Sequence, residues 1–254
     1  MTALREGGSL PAIVEADDDG MYVVKFRGAG QGPKALVAEL IAFGIGRALG
    51  LPVPETVLVD LDPALGMAEP DPEIQELLER SVGINVGLDY LPGSLPLGSP
   101  IDAGVSPELA ADVIWFDAFL SNVDRTPRNP NLLLWHRQLW LIDHGAALYT
   151  QHGWSDDMEA ITASATSRFS AIRDQVLLPI ASSIAEADAR LAPKLDAATT
   201  EAVVASIPDD LLDGVAPFAT PAGHRAAYTA YLAHRLAAPR AWMDEAEDAR
   251  RALN

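Results

Sequence analysis

The 254-residue sequence predicts an α+β fold in two lobes, a sheet-rich N-terminal part and a mainly helical C-terminal part. Three observations carry that expectation. Before residue 92, short alternating apolar runs are separated by turn-forming residues, the pattern of antiparallel strands. Residues 92–100, "PGSLPLGSP", consist mostly of Gly, Pro and Ser and read as a hinge. Beyond residue 100 the helical period of about 3.6 dominates, with breaks expected near Pro179, Pro193, Pro208 and Pro239. The implied division is 1–92 for the first lobe, 93–100 for the hinge and 101–254 for the second lobe.

Taken in order, "TALR", "LPAIVEA" and "MYVVKFR" read as three short strands, joined by the turns "EGGS" and "DDDG". A helix is expected from Pro33 to Leu49. Proline suits the first helical turn, and Gly50 suits the position just past the end. "LPVPETVLVDL" reads as a strand, residues 71–81 as a polar helix, and "VGINVGLDYL" as a further apolar run. The helix "SPELAADVIWFDAFLS" should start at Ser106 as N-cap with Pro107 behind it. "NLLLW" and "LWLI" should form a hairpin turning at His136-Arg137-Gln138.

Composition bounds the chemistry. There is no cysteine, which excludes disulfides, thiolate zinc sites and thiol nucleophiles. The five histidines, at 136, 144, 152, 224 and 234, contain no i,i+4 metal pair. A formal charge of −18, from 36 acidic and 18 basic residues, argues against nucleic acid and anionic membrane as partners. No signal-peptide h-region or membrane span is visible, so a cytoplasmic protein is expected. "GAGQGPKA" lacks the Gly-Lys-Ser/Thr of a phosphate loop and the spacing of a dinucleotide fingerprint, and reads as a turn into a helix.

One ordered set of polar residues remains. Lys25 lies in the strand "YVVKF", and Glu39 lies in "ALVAELIAF", where an unpaired charge would be costly. A strand-to-helix ion pair between them is expected. Asp124 and Asn129 stand in the spacing D-x-x-x-x-N, and Asp143 follows a short apolar strand in "LWLIDHG". The hairpin should return Asp143 beside Asn129, so that both oxygens can meet one cation. Phosphoryl transfer requires these parts: a lysine on the phosphates, oxygen ligands for magnesium and a carboxylate at the attacking hydroxyl. Asn122 and Asn131 are expected to hold the loop through backbone hydrogen bonds. His144, Arg125 and Arg128 could each touch acceptor or phosphate, with surface positions an equal reading for the arginines.

With "YVVKF", "LVAELIAFGIGRALGLPVPE", "NVDRTPRNPNLL" and "LIDHGAAL", the sequence resembles the HipA-like kinases, relatives of the phosphatidylinositol kinases within the protein-kinase-like fold. The resemblance covers roughly residues 7–150 and implies a cleft binding ATP and Mg2+. It implies that Lys25 contacts the nucleotide phosphates, paired with Glu39, and that Asp124 acts on the acceptor. Asn129 and Asp143 would hold magnesium, with Gly7, Gly8 and Ser9 over the phosphates and Tyr90 and Leu91 at the adenine. Val123 before Asp124 and the triplet Asp-His-Gly depart from ordinary protein kinases, and no Ala-Pro-Glu segment is present. The chain is also shorter than full-length HipA toxins. The expected activity is transfer of the γ-phosphoryl group to a hydroxyl-bearing acceptor, Ser/Thr of a protein before a lipid. A non-catalytic kinase-fold module and a small-molecule kinase are the alternatives.

Overall fold

The computed structural model of the chain describes residues 2–3, 10–67, 69–101 and 103–253. The N-terminal region is built on a five-stranded antiparallel sheet in the order β1-β2-β3-β5-β4. Its strands are β1 (Thr2–Ala3), β2 (Ala12–Glu15), β3 (Met21–Lys25), β4 (Thr56–Leu61) and β5 (Gly83–Asp89). The turn between β2 and β3 is fixed by Asp18, whose carboxylate accepts from Gly20 N and from the Tyr22 hydroxyl, each at 2.8 Å. "EGGS", with Gly7, Gly8 and Ser9, lies outside the described residues.

Helix α1 (Pro33–Leu49) crosses from this sheet into the main core. Its ends are those the sequence predicts, with Pro33 in the first turn and Gly50 in the left-handed region, φ 78°. Buried residues occur around most of its circumference, as expected of a helix covered on several sides. The short α2 (Ala64–Met67) precedes α3 (Pro72–Arg80), which starts at Asp71 as N-cap and buries Leu77 and Leu78 beneath the sheet. Those leucines join Ala12, Val24, Phe26 and Leu61 in a small core of their own.

The stretch expected as a hinge contains β6 (Leu95–Pro96), the edge strand of a second sheet, β6-β7-β8. Helix α4 (Pro107–Phe119) begins with Ser106 accepting from Leu109 N at 3.1 Å. Strands β7 (Leu132–Trp135) and β8 (Gln138–Leu141) form the expected hairpin. Its turn is one residue shorter than expected. His136 and Arg137 both have positive φ, 49° and 65°, as a two-residue type I′ turn requires, and Gln138 already pairs with Trp135.

The remainder is helical: α5 (Met158–Ala165), α6 (Ile184–Leu191), α7 (Ala197–Ala205), α8 (Pro221–Leu236) and α9 (Ala241–Arg251). Single-turn 3₁₀ segments fall at Pro179, Pro193 and just after Pro208. Asp157, Ser183, Asp196 and Thr220 cap α5 to α8, each accepting from backbone N–H groups two or three residues on. One continuous core joins α1, α4, the β7–β8 hairpin and these helices. Among the described residues, no helix is long and apolar enough to cross a membrane.

Candidate active site

A cavity of about 1040 Å³ opens between the five-stranded sheet and the hairpin. Lys25, Glu39, Tyr90, Leu91, Asp124, Asn129 and Asp143 all line it. Of the residues to which the family resemblance gives a site role, these are all that the structure describes.

Lys25 ends β3 with its side chain pointing inward, 7% exposed. Its Nζ lies 3.3 Å from Glu39 Oε1 and 2.6 Å from Asp143 Oδ1. Burial works against the ammonium, but the carboxylates of Glu39 and Asp143 outweigh it and raise its pKa above the usual lysine value. Lys25 is therefore a fixed cation. Glu39, 1% exposed, comes from the middle of α1. Burial raises its carboxyl pKa, opposed by Lys25 and by the backbone N–H of His144, which donates to Oε2 at 2.9 Å. That bond ties α1 to the residue next to Asp143.

The loop from Asn122 to Asn131 is assembled by its own amides. Asn122 Oδ1 accepts from Asp124 N at 3.1 Å, and Asn122 Nδ2 donates to Asp117 Oδ1 at 3.0 Å. Asp124 Oδ2 accepts from Asn129 Nδ2 at 2.8 Å and from Asn131 Nδ2 at 3.3 Å. The Asn131 amide also reaches the carbonyls of Asp124 and Asp143, each at 3.4 Å, linking the loop to the end of the hairpin. Thr126 and Asn129 exchange backbone hydrogen bonds at 3.0 and 3.1 Å, closing a tight turn over Pro127 and Arg128. Asn131 and Asp143 both sit in the left-handed region, φ 49° and 53°. Asn and Asp tolerate that conformation better than other side-chain-bearing residues.

Arg125 and His144 are not placed to touch a ligand. Arg125 is buried, with Nε 2.8 Å from Asp117 Oδ2, and its Nη1 donates to the carbonyls of Asn131 and Ile142. It holds the loop from behind. His144 packs edge-on against Phe43 and Phe116, with ring centroids 4.7 and 5.5 Å away. Burial, with the Arg125 and Lys25 charges nearby, pushes its pKa well down, so the ring is neutral. Arg128 is exposed on the turn.

Two further features, neither given a site role from the sequence, belong to the site. Asp117 accepts from Asn122, Arg125 and Gln175 and is the buried anchor of the whole loop. A lone carboxylate within "VIWFDAFL" was the available signal, since an unpaired charge there is costly. In addition, Ala29, Gly30 and Gln31, from the glycine-rich turn before α1, line the cavity. That turn is held by Gly28 N donating to Ser81 Oγ at 3.1 Å, and a Cβ at Gly28 would come within 2.7 Å of the same oxygen. Nothing in the local spacing signals its part in the wall.

Asn129 and Asp143 offer hard oxygen donors of the kind magnesium takes. The Asp143 side chain is 39% exposed, so a cation can reach it. Among the described residues, no three His, Cys, Asp or Glu side chains gather into a metal cage. Magnesium fits such a site when substrate phosphates complete its coordination. The cavity thus gathers an ammonium suited to an anion, a carboxylate suited to a proton, and two oxygen-bearing side chains suited to a cation.

The sequence model of the HipA-like kinases matches residues 1–210. Among solved structures, the crystal structure of the Helicobacter pylori proinflammatory kinase CtkA is similar, with a TM-score of 0.59 and 15% sequence identity. The match covers 99% of this chain and 96% of that one. At that identity the likeness is one of fold. No curated protein matches the chain.

Proposed function

The chain belongs to the HipA-like kinase family, and from that premise we propose an ATP- and magnesium-dependent kinase that phosphorylates a hydroxyl, Ser/Thr of a protein. The observation that carries the proposal is the convergence of Lys25, Glu39, Asp124, Asn129 and Asp143 on one cavity from four separate stretches of chain. In this reading, residues 1–92 and 101–254 are two lobes joined at 93–100, and ATP lies between them. Tyr90 and Leu91 face the adenine, while Gly7, Gly8 and Ser9 cover the phosphates.

In this reading each step has a candidate group. Lys25, held by Glu39, binds and orients the phosphates. Asn129 and Asp143 would hold magnesium, which would neutralise charge on the transferred group. The Asp124 carboxylate, aimed by the amides of Asn129 and Asn131, accepts the proton of the attacking hydroxyl.

The test is paired. A thermal-shift titration should show stabilisation by ATP that requires magnesium, and its absence at every magnesium level would end the proposal. Asp124→Asn should lower phosphoryl transfer by about 10²–10⁴-fold, the range for loss of a general base. Nucleotide affinity should stay within about threefold. Loss of affinity instead would mean that Asp124 serves binding and not proton transfer.

A further inference from the structure

Helix α1 carries Glu39, and segments that follow the hairpin grip α1 at both ends and in the middle. At its N-terminus, Lys34 and Gln151 exchange bonds: Lys34 Nζ donates to Gln151 O at 3.2 Å, and Gln151 Nε2 donates to Lys34 O at 3.3 Å. Gln151 is itself buried and held from α8, where the Tyr228 hydroxyl donates to Gln151 Oε1 at 2.5 Å. At its C-terminus, Lys194 Nζ donates to the Leu49 carbonyl at 2.8 Å, one of the acceptors a helix end leaves open. In the middle, Val203 of α7 lies so close over Gly44 that a Cβ there would stand 2.7 Å from Val203 Cγ1. Beside α1, Arg27 Nη2, two residues beyond Lys25, donates to the Asp210 carbonyl at 2.9 Å.

We propose that residues 194–228 act as a built-in brace that sets α1 at the depth where Glu39 meets Lys25. The site is thereby assembled by the chain's own tail, and Gly44, Val203 and Tyr228 are positioning residues for the reaction. The proposal rests on the kinase reading for its effect on catalysis, although the brace itself is a matter of packing. Its physical core is the Gly44–Val203 contact. A glycine inside a 17-residue helix is unfavourable for the helix, and here its missing side chain is what allows α7 to approach.

Gly44→Ala makes α1 a better helix in isolation while forcing α7 away, so propensity and packing predict opposite outcomes. The measurements are amide hydrogen exchange over residues 36–43, the urea midpoint, and turnover at saturating ATP, all on the full chain. Gly44→Ala should speed exchange in α1 and lower kcat, each by about tenfold, through local opening of the helix. Gly44→Ala combined with Val203→Ala removes the clash and should bring both back to within about threefold of wild type. Unchanged α1 exchange in Gly44→Ala, or a double variant as impaired as the single one, would overturn the brace. If Gly44→Ala does not yield folded protein, Tyr228→Phe deletes one hydroxyl only. Faster exchange at residues 34–36 then supports the brace, and wild-type exchange there rejects it. If the wild-type chain transfers no phosphate, the kinase reading fails while the exchange measurements still decide the brace.

Discussion

Lys25–Glu39 and Arg125–Asp117 are both buried ion pairs, and they differ in what closes them off. Arg125 and Asp117 have side chains with no exposed surface, and protein partners surround them: Asn122, Gln175 and the carbonyls of Asn131 and Ile142. Lys25 and Glu39 are nearly as buried, but their third member, Asp143, faces the cavity, and Glu39 Oε1 has no hydrogen bond beyond the ion pair. The first pair leaves one nitrogen, Arg125 Nη2, without a hydrogen bond, but with no exposed surface it offers nothing to a ligand. The second presents an ammonium and a reachable carboxylate to whatever enters. Burial of charge alone therefore does not mark a functional site; what marks this one is a charged group that an entering ligand can reach.

The contrast is broken or sharpened by substitutions on each side. Asp117→Ala should have the largest effect on stability, about 3–5 kcal/mol, because it strands a buried guanidinium. A urea midpoint within error of wild type would show that the sealed pair is not a structural anchor. Next, Asp143→Ala should lower turnover by about 10²–10³-fold, the scale of losing one electrostatic stabiliser. Kinetics at saturating ATP and magnesium decide it, and an unaltered rate would remove Asp143 from the site. Lys25→Met should cost less than about 1.5 kcal/mol in urea while abolishing transfer. The methionine fills the space, Asp143 stays hydrated, and Glu39 can take up a proton because burial has already raised its pKa. If Lys25→Met is as destabilising as Asp117→Ala, the distinction between sealed and open pairs fails.

The smallest expected effect concerns a third charged group, at α9. Glu247 is held at a pKa of about 2, first by its hydrogen bond from Arg250, then by Ile184 N and Arg251. A carboxyl lowered on folding contributes stability that is present above its unfolded value near 4.5 and is lost as pH falls through about 2. Arg251 is largely exposed, so solvent screening leaves about 1 kcal/mol. Glu247→Gln should flatten the stability profile between those pH values, measured by urea denaturation. An unchanged slope would remove Glu247 from the acid response.

The parts legible in the sequence are those set by local chemistry. Pro33 and Gly50 mark the ends of α1, Ser106 starts α4, and two short apolar runs give β7 and β8. The expected Lys25–Glu39 pair is present because two charges in apolar surroundings have few other means of being satisfied. What stayed hidden depends on contacts distant in sequence. Gly44 reads as a weakness in a helix until Val203 is seen against it. Gln151 reads as a loop residue until α1 and α8 are placed on either side. Asp117 could have been found by the reasoning that found Glu39, applied to the next apolar run.

The hairpin turn at His136 and Arg137 has a consequence for how this chain can change. Its two residues set the Leu132–Leu141 pairing, and Leu141 N also donates to the Pro52 carbonyl at 2.8 Å. Side chains alternate faces along a strand, so one residue gained or lost between Asn131 and Ile142 would turn one strand's leucines out of the core. The same slip would shift Asp143 relative to the loop holding Asp124. Substitutions can accumulate at the exposed tip, but its length cannot drift one residue at a time. In homologues or designed variants, length changes here should come in pairs that preserve the pleat.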